Sequence, residues 1–256
     1  MKYYEYFLSM KIFTFAEAVN LIGNEKTAKS LLQQYCKKGY LASVKKGLYV
    51  TVNIVDKEPV VNKYAIASAL TDTSYVSHRS AFEYYGYTNQ VSYDVSVTST
   101  QKFNSFDFGG YRYYRIAPAI TTGIVIQPDG VRITDTERTL TDCINSLETH
   151  IGLEELLNCI SVIPALSEEK LMRYLDEYKK MFLYQKTGFL LEHFQNRFDI
   201  SDRFFDVCKQ KSGKSSRYLT KTTSKNAMRF SAKWHLTYPK NIWSDLLNGG
   251  SEDAEI

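Results

Sequence analysis

The first fifty residues restrict this chain most, because they hold a fixed order of helix starts and stops followed by a basic turn. Thr14, with Glu17 three residues later, has the form of a capping box. Phe15, Ala18, Val19 and Ile22 continue from it at helical spacing, and Gly23 is placed to stop that helix. Asn24 opens a second helix with Ala28, Leu31, Leu32 and Tyr35 on one stripe, and Gly39 ends it. Tyr40–Val44, the turn Lys45-Lys46-Gly47 and Leu48–Val52 then read as strand, tight basic turn and strand. Ahead of them, Lys2–Ser9 forms a short helix with Tyr3, Tyr6 and Phe7 on one side. Two helices joined through a glycine, followed by a basic hairpin, predict a winged helix-turn-helix over residues 1–54.

Asn53–Val61 contains Asp56, Lys57, Glu58 and Pro59 and breaks both periods, so residues 55–61 read as a linker. Beyond it the patterns are mixed. Asn62–Leu70 and Ser80–Tyr85 read as helices, with Ser77 or Ser80 as the cap of the second. Val91, Tyr93, Val95 and Val97 alternate with polar residues, as in a half-buried strand. Phe103–Phe108 and Tyr111–Ile116 flank Gly109-Gly110 as a hairpin, and Ile124–Ile126 and Val131–Ile133 flank a second turn. From Thr134 the period becomes helical, with Leu140, Cys143, Ile144 and Leu147 on one stripe. Helices follow at Leu153–Ile163, Ser167–Tyr178, Gly188–Phe194 and Ser201–Lys211, then a strand at Lys233–Thr237 and a short helix at Ile242–Leu247. The expectation is an α+β chain in which residues 62–248 form a larger domain with an antiparallel sheet and C-terminal helices. A flexible acidic tail, 249–256, completes it.

The net charge of +4 conceals strong local differences. Residues 1–50 carry eight Lys/Arg against three Asp/Glu, and residues 201–240 carry ten against two. In the second helix, a buried stripe at Ala28, Leu31, Leu32 and Tyr35 turns Lys26, Lys29, Ser30, Gln33, Gln34, Lys37 and Lys38 outward. Lysine and glutamine are among the side chains that read base edges in the major groove. Lys45 and Lys46 at the wing tip would meet phosphate or the minor groove, and Lys2 and Lys11 would add phosphate contacts. No Asp or Glu occurs from Lys26 to Asn53. Lysines on an exposed helix often only solubilise, and winged helices also bind proteins, so an interaction module without an operator is the alternative. In the second basic region, Lys209, Lys211, Lys214, Arg217, Lys221, Lys225, Arg229 and Lys233 are interleaved with Tyr218, Phe230 and Trp234. That composition suits a nucleic acid, an acidic protein or simply a solvated face, and it marks the candidate surface for a second activity.

Asp94, Glu137 and Asp142 are the carboxylates a metal-dependent nuclease would draw on. However, Ser96 and Thr98 stand where further ligands or a lysine should be, and Asp135 reads as a helix cap. Cys36, Cys143, Cys159 and Cys208 form no CxxC pair, and His78, His150, His193 and His235 are scattered. The expectation is a chain without metal, cofactor or catalytic residues. No apolar run reaches the ~18 residues of a membrane span, and Met1–Met10 lacks the order of a signal peptide. A cytoplasmic protein is expected.

The motifs, taken in order, resemble the AbiEi antitoxins, the repressor half of bacterial type IV toxin–antitoxin pairs linked to abortive phage infection. The resemblance rests on Lys46-Gly47-Leu48-Tyr49-Val50, on Tyr75–Phe82 with Tyr85-Gly86, on the Val95–Thr98 strand with its aromatic hairpin, and on Ile133–Asp142. Thr187–Glu192 and Lys233–Leu236 add to it, and Asn196–Met228 matches least. It implies an autorepressor that binds inverted repeats in its own promoter through the winged helix, as a homo-oligomer on DNA. It also implies a C-terminal domain that opposes a nucleotidyltransferase-like toxin without a stable complex.

Overall fold

The computed structural model describes residues 3–88, 90–221 and 227–243. It is a mixed α+β chain that packs as two compact units. Unit 1 comprises Met1–Val76, Ser92–Ala117 and Ile126–Ile133, and unit 2 comprises Ser77–Val91, Pro118–Val125 and Thr134–Ile256.

Unit 1 begins with α1 (Tyr4–Met10), β1 (Ile12–Thr14), α2 (Phe15–Ile22), α3 (Glu25–Lys37), β2 (Leu41–Lys45) and β3 (Leu48–Thr51). The local signals act where they stand in the sequence. The Thr14 hydroxyl accepts from the Glu17 amide while the Glu17 carboxylate accepts from the Thr14 amide at 2.6 Å. Gly23 closes α2 with φ at 81°, a left-handed conformation that glycine adopts without steric cost. The Asn24 side chain accepts from the Thr27 amide and starts α3. The three strands form an antiparallel sheet in the order β1-β3-β2. The sequence pattern did not show β1, whose three residues pair Ile12 with Val50 and Thr14 with Leu48. Its Phe13 stacks on Phe7 at 4.5 Å between centroids, and Tyr35 of α3 meets Phe7 edge-on. Residues 53–61 fold back on the sheet: the Val60 amide donates to the Thr51 carbonyl and Val52 bridges Pro59. This segment therefore lies within unit 1.

The rest of unit 1 holds α4 (Lys63–Ala69), β4 (Tyr75–Val76), β5 (Asp94–Thr98), β6 (Phe106–Phe108), β7 (Tyr111–Ile116) and β9 (Arg132–Thr134). The order is β6-β7-β5-β4-β9, and β8 (Ile124–Ile126) continues it where the chain passes between the units. The sheet is mixed rather than antiparallel, because β5 pairs with β7 and β4 with β9 in parallel. The predicted hairpin forms, but its first strand takes the outer edge and its second docks on β5, so β7 runs the same way as β5. Nor is β5 half-buried. Val95, Ser96, Val97 and Thr98 are all buried, Ser96 Oγ lies 2.6 Å from the Tyr114 hydroxyl, and the flanking Val91 and Tyr93 are exposed.

Unit 2 is mainly helical, with α5 (His78–Tyr84), α6 (Thr136–Asn145), α7 (Leu153–Val162), α8 (Glu168–Tyr178), α9 (Met181–Glu192), α10 (Gln195–Phe198) and α11 (Asp202–Lys211). A small sheet, β10 (Arg217–Tyr218), β11 (Met228–Ser231) and β12 (Leu236–Pro239), follows in the order β10-β12-β11. The strand read at Lys233–Thr237 begins later, since Trp234 sits in the turn before β12. The expected 242–247 helix and 249–256 tail lie largely or wholly outside the described residues. The central helix, α9, starts well before the predicted Gly188 and is buried from Leu183 to Leu191. Trp234 rests directly on Gly188, where an added Cβ would fall 2.1 Å from the indole ring. Gln185 donates to the Trp234 carbonyl at 2.5 Å, and Glu192 accepts from the indole N–H at 2.8 Å. The two late sequence signatures are thus the two halves of one packing contact. Among the described residues no helix is long and apolar enough to cross a membrane.

Candidate nucleic-acid interface

α3 buries Ala28, Leu32 and Tyr35, with Leu31 and Cys36 half-covered. Lys26, Lys29, Ser30, Gln33, Gln34, Lys37 and Lys38 are exposed. At about 100° per residue, Lys26, Lys29, Ser30, Gln33 and Lys37 fall within an arc of roughly 100°, along ~16 Å of helix axis. Glu25, in the first turn, is the one carboxylate of α3. Glu17 nearby is engaged in its capping box. Burial raises the Cys36 thiol above its ordinary value. The Tyr49 phenol is raised by burial and then by Cys36.

The β2–β3 turn separates the two predicted wing lysines. Gly47, at φ 81°, closes the turn and its carbonyl accepts from the Phe15 amide at 2.8 Å. Lys46 is exposed. Lys45 is half-buried, with its ammonium 5.6 Å from the centre of the Phe103 ring, and the loss of solvent lowers its pKa. Phe103, in the loop between β5 and β6, was not anticipated as the seat of a wing lysine. Only a long-range contact brings the two together. Lys11, at the end of α1, is exposed, and Lys2 lies outside the described residues.

The second basic segment is partly engaged within unit 2. Lys211 pairs with Asp176, Lys233 pairs with Glu192, and the Arg217 guanidinium lies 5.1 Å from the Phe182 ring centre. Lys209, Lys214, Lys221 and Arg229 are exposed, and Lys225 lies outside the described residues.

Asp135, Glu137 and Asp142 each have structural partners. Asp135 caps α6 by accepting from the Arg138 amide at 2.8 Å, and it also accepts from the Tyr174 hydroxyl at 2.7 Å. Glu137 accepts from the Ser167 amide at the start of α8, at 2.8 Å, and from Lys170 at 3.3 Å. Asp142 holds the Arg138 guanidinium at 2.6 Å and the Tyr178 hydroxyl at 2.5 Å. Asp94 is exposed at the start of β5. His78 takes φ 53° at the start of α5, with Nδ1 2.9 Å from the Ser77 hydroxyl. Burial drives its pKa down to about 4, so the imidazole is neutral. Among the described residues no cluster of three or more His, Cys, Asp or Glu could hold a metal.

No known protein-family pattern matches the chain, and no curated protein does. The fold has a solved counterpart. It is similar to the Rv2827c protein of Mycobacterium tuberculosis, with a TM-score of 0.62 over 93% of this chain and 89% of that one. At 12% sequence identity the likeness concerns the fold alone.

Proposed function

We propose that the chain is a sequence-specific DNA-binding repressor whose first fifty residues act as a winged helix-turn-helix. In this reading α3 enters the major groove and the β2–β3 turn lies against the backbone. The observation that carries it is the exposed arc of Lys26, Lys29, Ser30, Gln33 and Lys37, in a stretch free of carboxylates from Lys26 to Asn53. An arc ~16 Å long spans about five base-pair steps of 3.4 Å, the reach of one half-site. Gln34 and Lys38 flank the arc, and Lys46 and Lys11 supply backbone contacts.

The AbiEi resemblance extends this reading to an autorepressor and antitoxin. Two subunits occupy an inverted repeat upstream of the chain's own gene. The remaining domain opposes a nucleotidyltransferase-like toxin in the cytoplasm, without catalysis or cofactor. The partners found for Asp135, Glu137 and Asp142 support a structural rather than a catalytic role for that motif.

The test is a gel-shift titration with the DNA immediately upstream of the gene against scrambled duplex, at near-physiological salt. A preference of at least ~10³ is expected. With the six exposed lysines, Lys11, Lys26, Lys29, Lys37, Lys38 and Lys46, engaged per subunit, log K should fall with log salt at a slope of roughly −5.4 per subunit. Equal affinity for both duplexes would refute the operator and leave the module as a protein-binding one.

A further inference from the structure

Unit 2 contains a cleft of about 470 Å³ that the DNA reading does not use. Lys180, Lys186 and Lys221 line it with Phe182, Tyr218 and Thr220, and a single carboxylate, the exposed Glu148, leaves the lysines in excess. Lys186 is only 5% exposed, and its ammonium donates to the backbone carbonyls of Ile144 and Asn145 at the end of α6. Lys180 donates to the Asn145 side chain at 3.0 Å. Among the described residues, no carboxylate is in ion-pair contact with Lys180, Lys186 or Lys221. Buried charges are ordinarily paired. Here burial and the neighbouring Lys180 together lower the Lys186 pKa to about 8. Capping the α6 carbonyls accounts for the placement of Lys186. It does not account for two further ammonium groups around an open cleft.

The wall of the cleft narrows the ligand class. Phe182 already carries two cations, Lys186 at 5.2 Å and Arg217 at 5.1 Å from its ring centre. Tyr218 is 52% exposed and offers a free aromatic face at the rim. The volume lies within the range of small-molecule and cofactor sites. We propose that this cleft binds a nucleoside polyphosphate, with the phosphates on Lys180, Lys186 and Lys221 and the base stacked on Tyr218. This site is independent of the α3 surface.

Titration calorimetry of the full chain with GTP, ATP, inorganic triphosphate and guanosine tests it. GTP or ATP should bind, and Lys180→Gln and Lys221→Gln, both surface changes, should each weaken binding at least tenfold. Lys186→Met, which keeps the volume of the side chain, should do the same. Tyr218→Ala should weaken the nucleotide and leave inorganic triphosphate unchanged. Lys29→Ala combined with Lys46→Ala should leave nucleotide binding intact, which separates this cleft from non-specific phosphate binding on α3. Absence of binding at millimolar nucleotide, or loss of binding only in the α3 variant, would overturn the proposal. Triphosphate binding as tightly as GTP, with no effect of Tyr218→Ala, would overturn its nucleoside part.

Discussion

Arg138 and Asp142 form the most buried ion pair described here, each side chain 1% exposed and the contact 2.6 Å long. Replacing Asp142 with alanine leaves the guanidinium in place without its counter-charge. Its other acceptors include the Thr122 carbonyl at 2.5 Å and the Ile120 carbonyl at 3.0 Å, both neutral. With the charge centres ~4 Å apart, the lost Coulomb attraction is about 4 kcal/mol at an effective dielectric of ~20. Neutral carbonyls recover part of it, and the Tyr178 hydroxyl loses its bond to Asp142 as well. The expected cost is about 3–5 kcal/mol, the usual penalty for breaking a buried pair from one side. In urea, with a slope of ~2 kcal/mol per molar, the unfolding midpoint should fall by about 2 M. The double change Arg138→Met with Asp142→Leu should recover most of that loss, because it removes both charges. A midpoint shift below ~0.5 M for Asp142→Ala would refute the structural role given to the Arg138–Asp142 pair.

Other measurements follow from the same geometry. Lys29→Ala or Gln33→Ala should weaken operator binding by about 1–3 kcal/mol and relax its sequence preference, while Lys46→Gln should weaken all duplexes alike and flatten the salt slope by ~1. Lys45→Gln should change binding less than Lys46→Gln, since Lys45 is turned onto Phe103; an equal effect in the same gel-shift assay would contradict that placement. His78 is neutral in the fold with a pKa of about 4, against an ordinary value of 6.5. The unfolded chain takes up the proton first as pH falls, so stability present above pH 6.5 is lost towards pH 4. His78 should account for a loss of about 2 kcal/mol at pH 5, read by urea unfolding and absent in His78→Asn, whose side chain tolerates positive φ. Gly188→Ala drives a methyl into the Trp234 ring and should cost about 1–3 kcal/mol despite the better helix propensity of alanine. An unchanged thermal midpoint would show that the indole can move aside.

Signals acting within one turn of chain were legible in the sequence. Thr14 with Glu17, Gly23, Asn24, Asp135, Ser167 and Ser201 cap helices where their identities placed them. The exposed arc of α3 likewise follows from one apolar stripe. What the pattern hid depends on partners distant in sequence. β1 is three residues long and exists only through β3. The parallel pairing of β5 with β7 reflects which hairpin strand reaches β5 first, and no local period encodes that choice. α9 is covered on all sides, so it has no polar stripe. Its Gln185 and Lys186 interrupt the apolar run, and both find their partners on other elements, the Trp234 and Ile144 carbonyls. Lys45 looked like a second wing-tip lysine for the same reason, with Phe103 out of view. Of the cleft, the sequence marked only Lys221 and Tyr218; Lys180 and Lys186 went unmarked because they lie at and within a helix read as starting later.

The seat of Trp234 on Gly188 bears on how the chain is made. Unit 1 holds every segment it needs once synthesis reaches Ile133, whereas α9 cannot be covered until Trp234 has emerged. Roughly a hundred residues separate these points, which at ~5–20 residues per second is on the order of 5–20 s. A nascent chain therefore carries a complete α3 surface while its helical unit still exposes apolar side chains. Slow codons or a chaperone acting in that interval would alter the yield of the second unit and leave the first untouched.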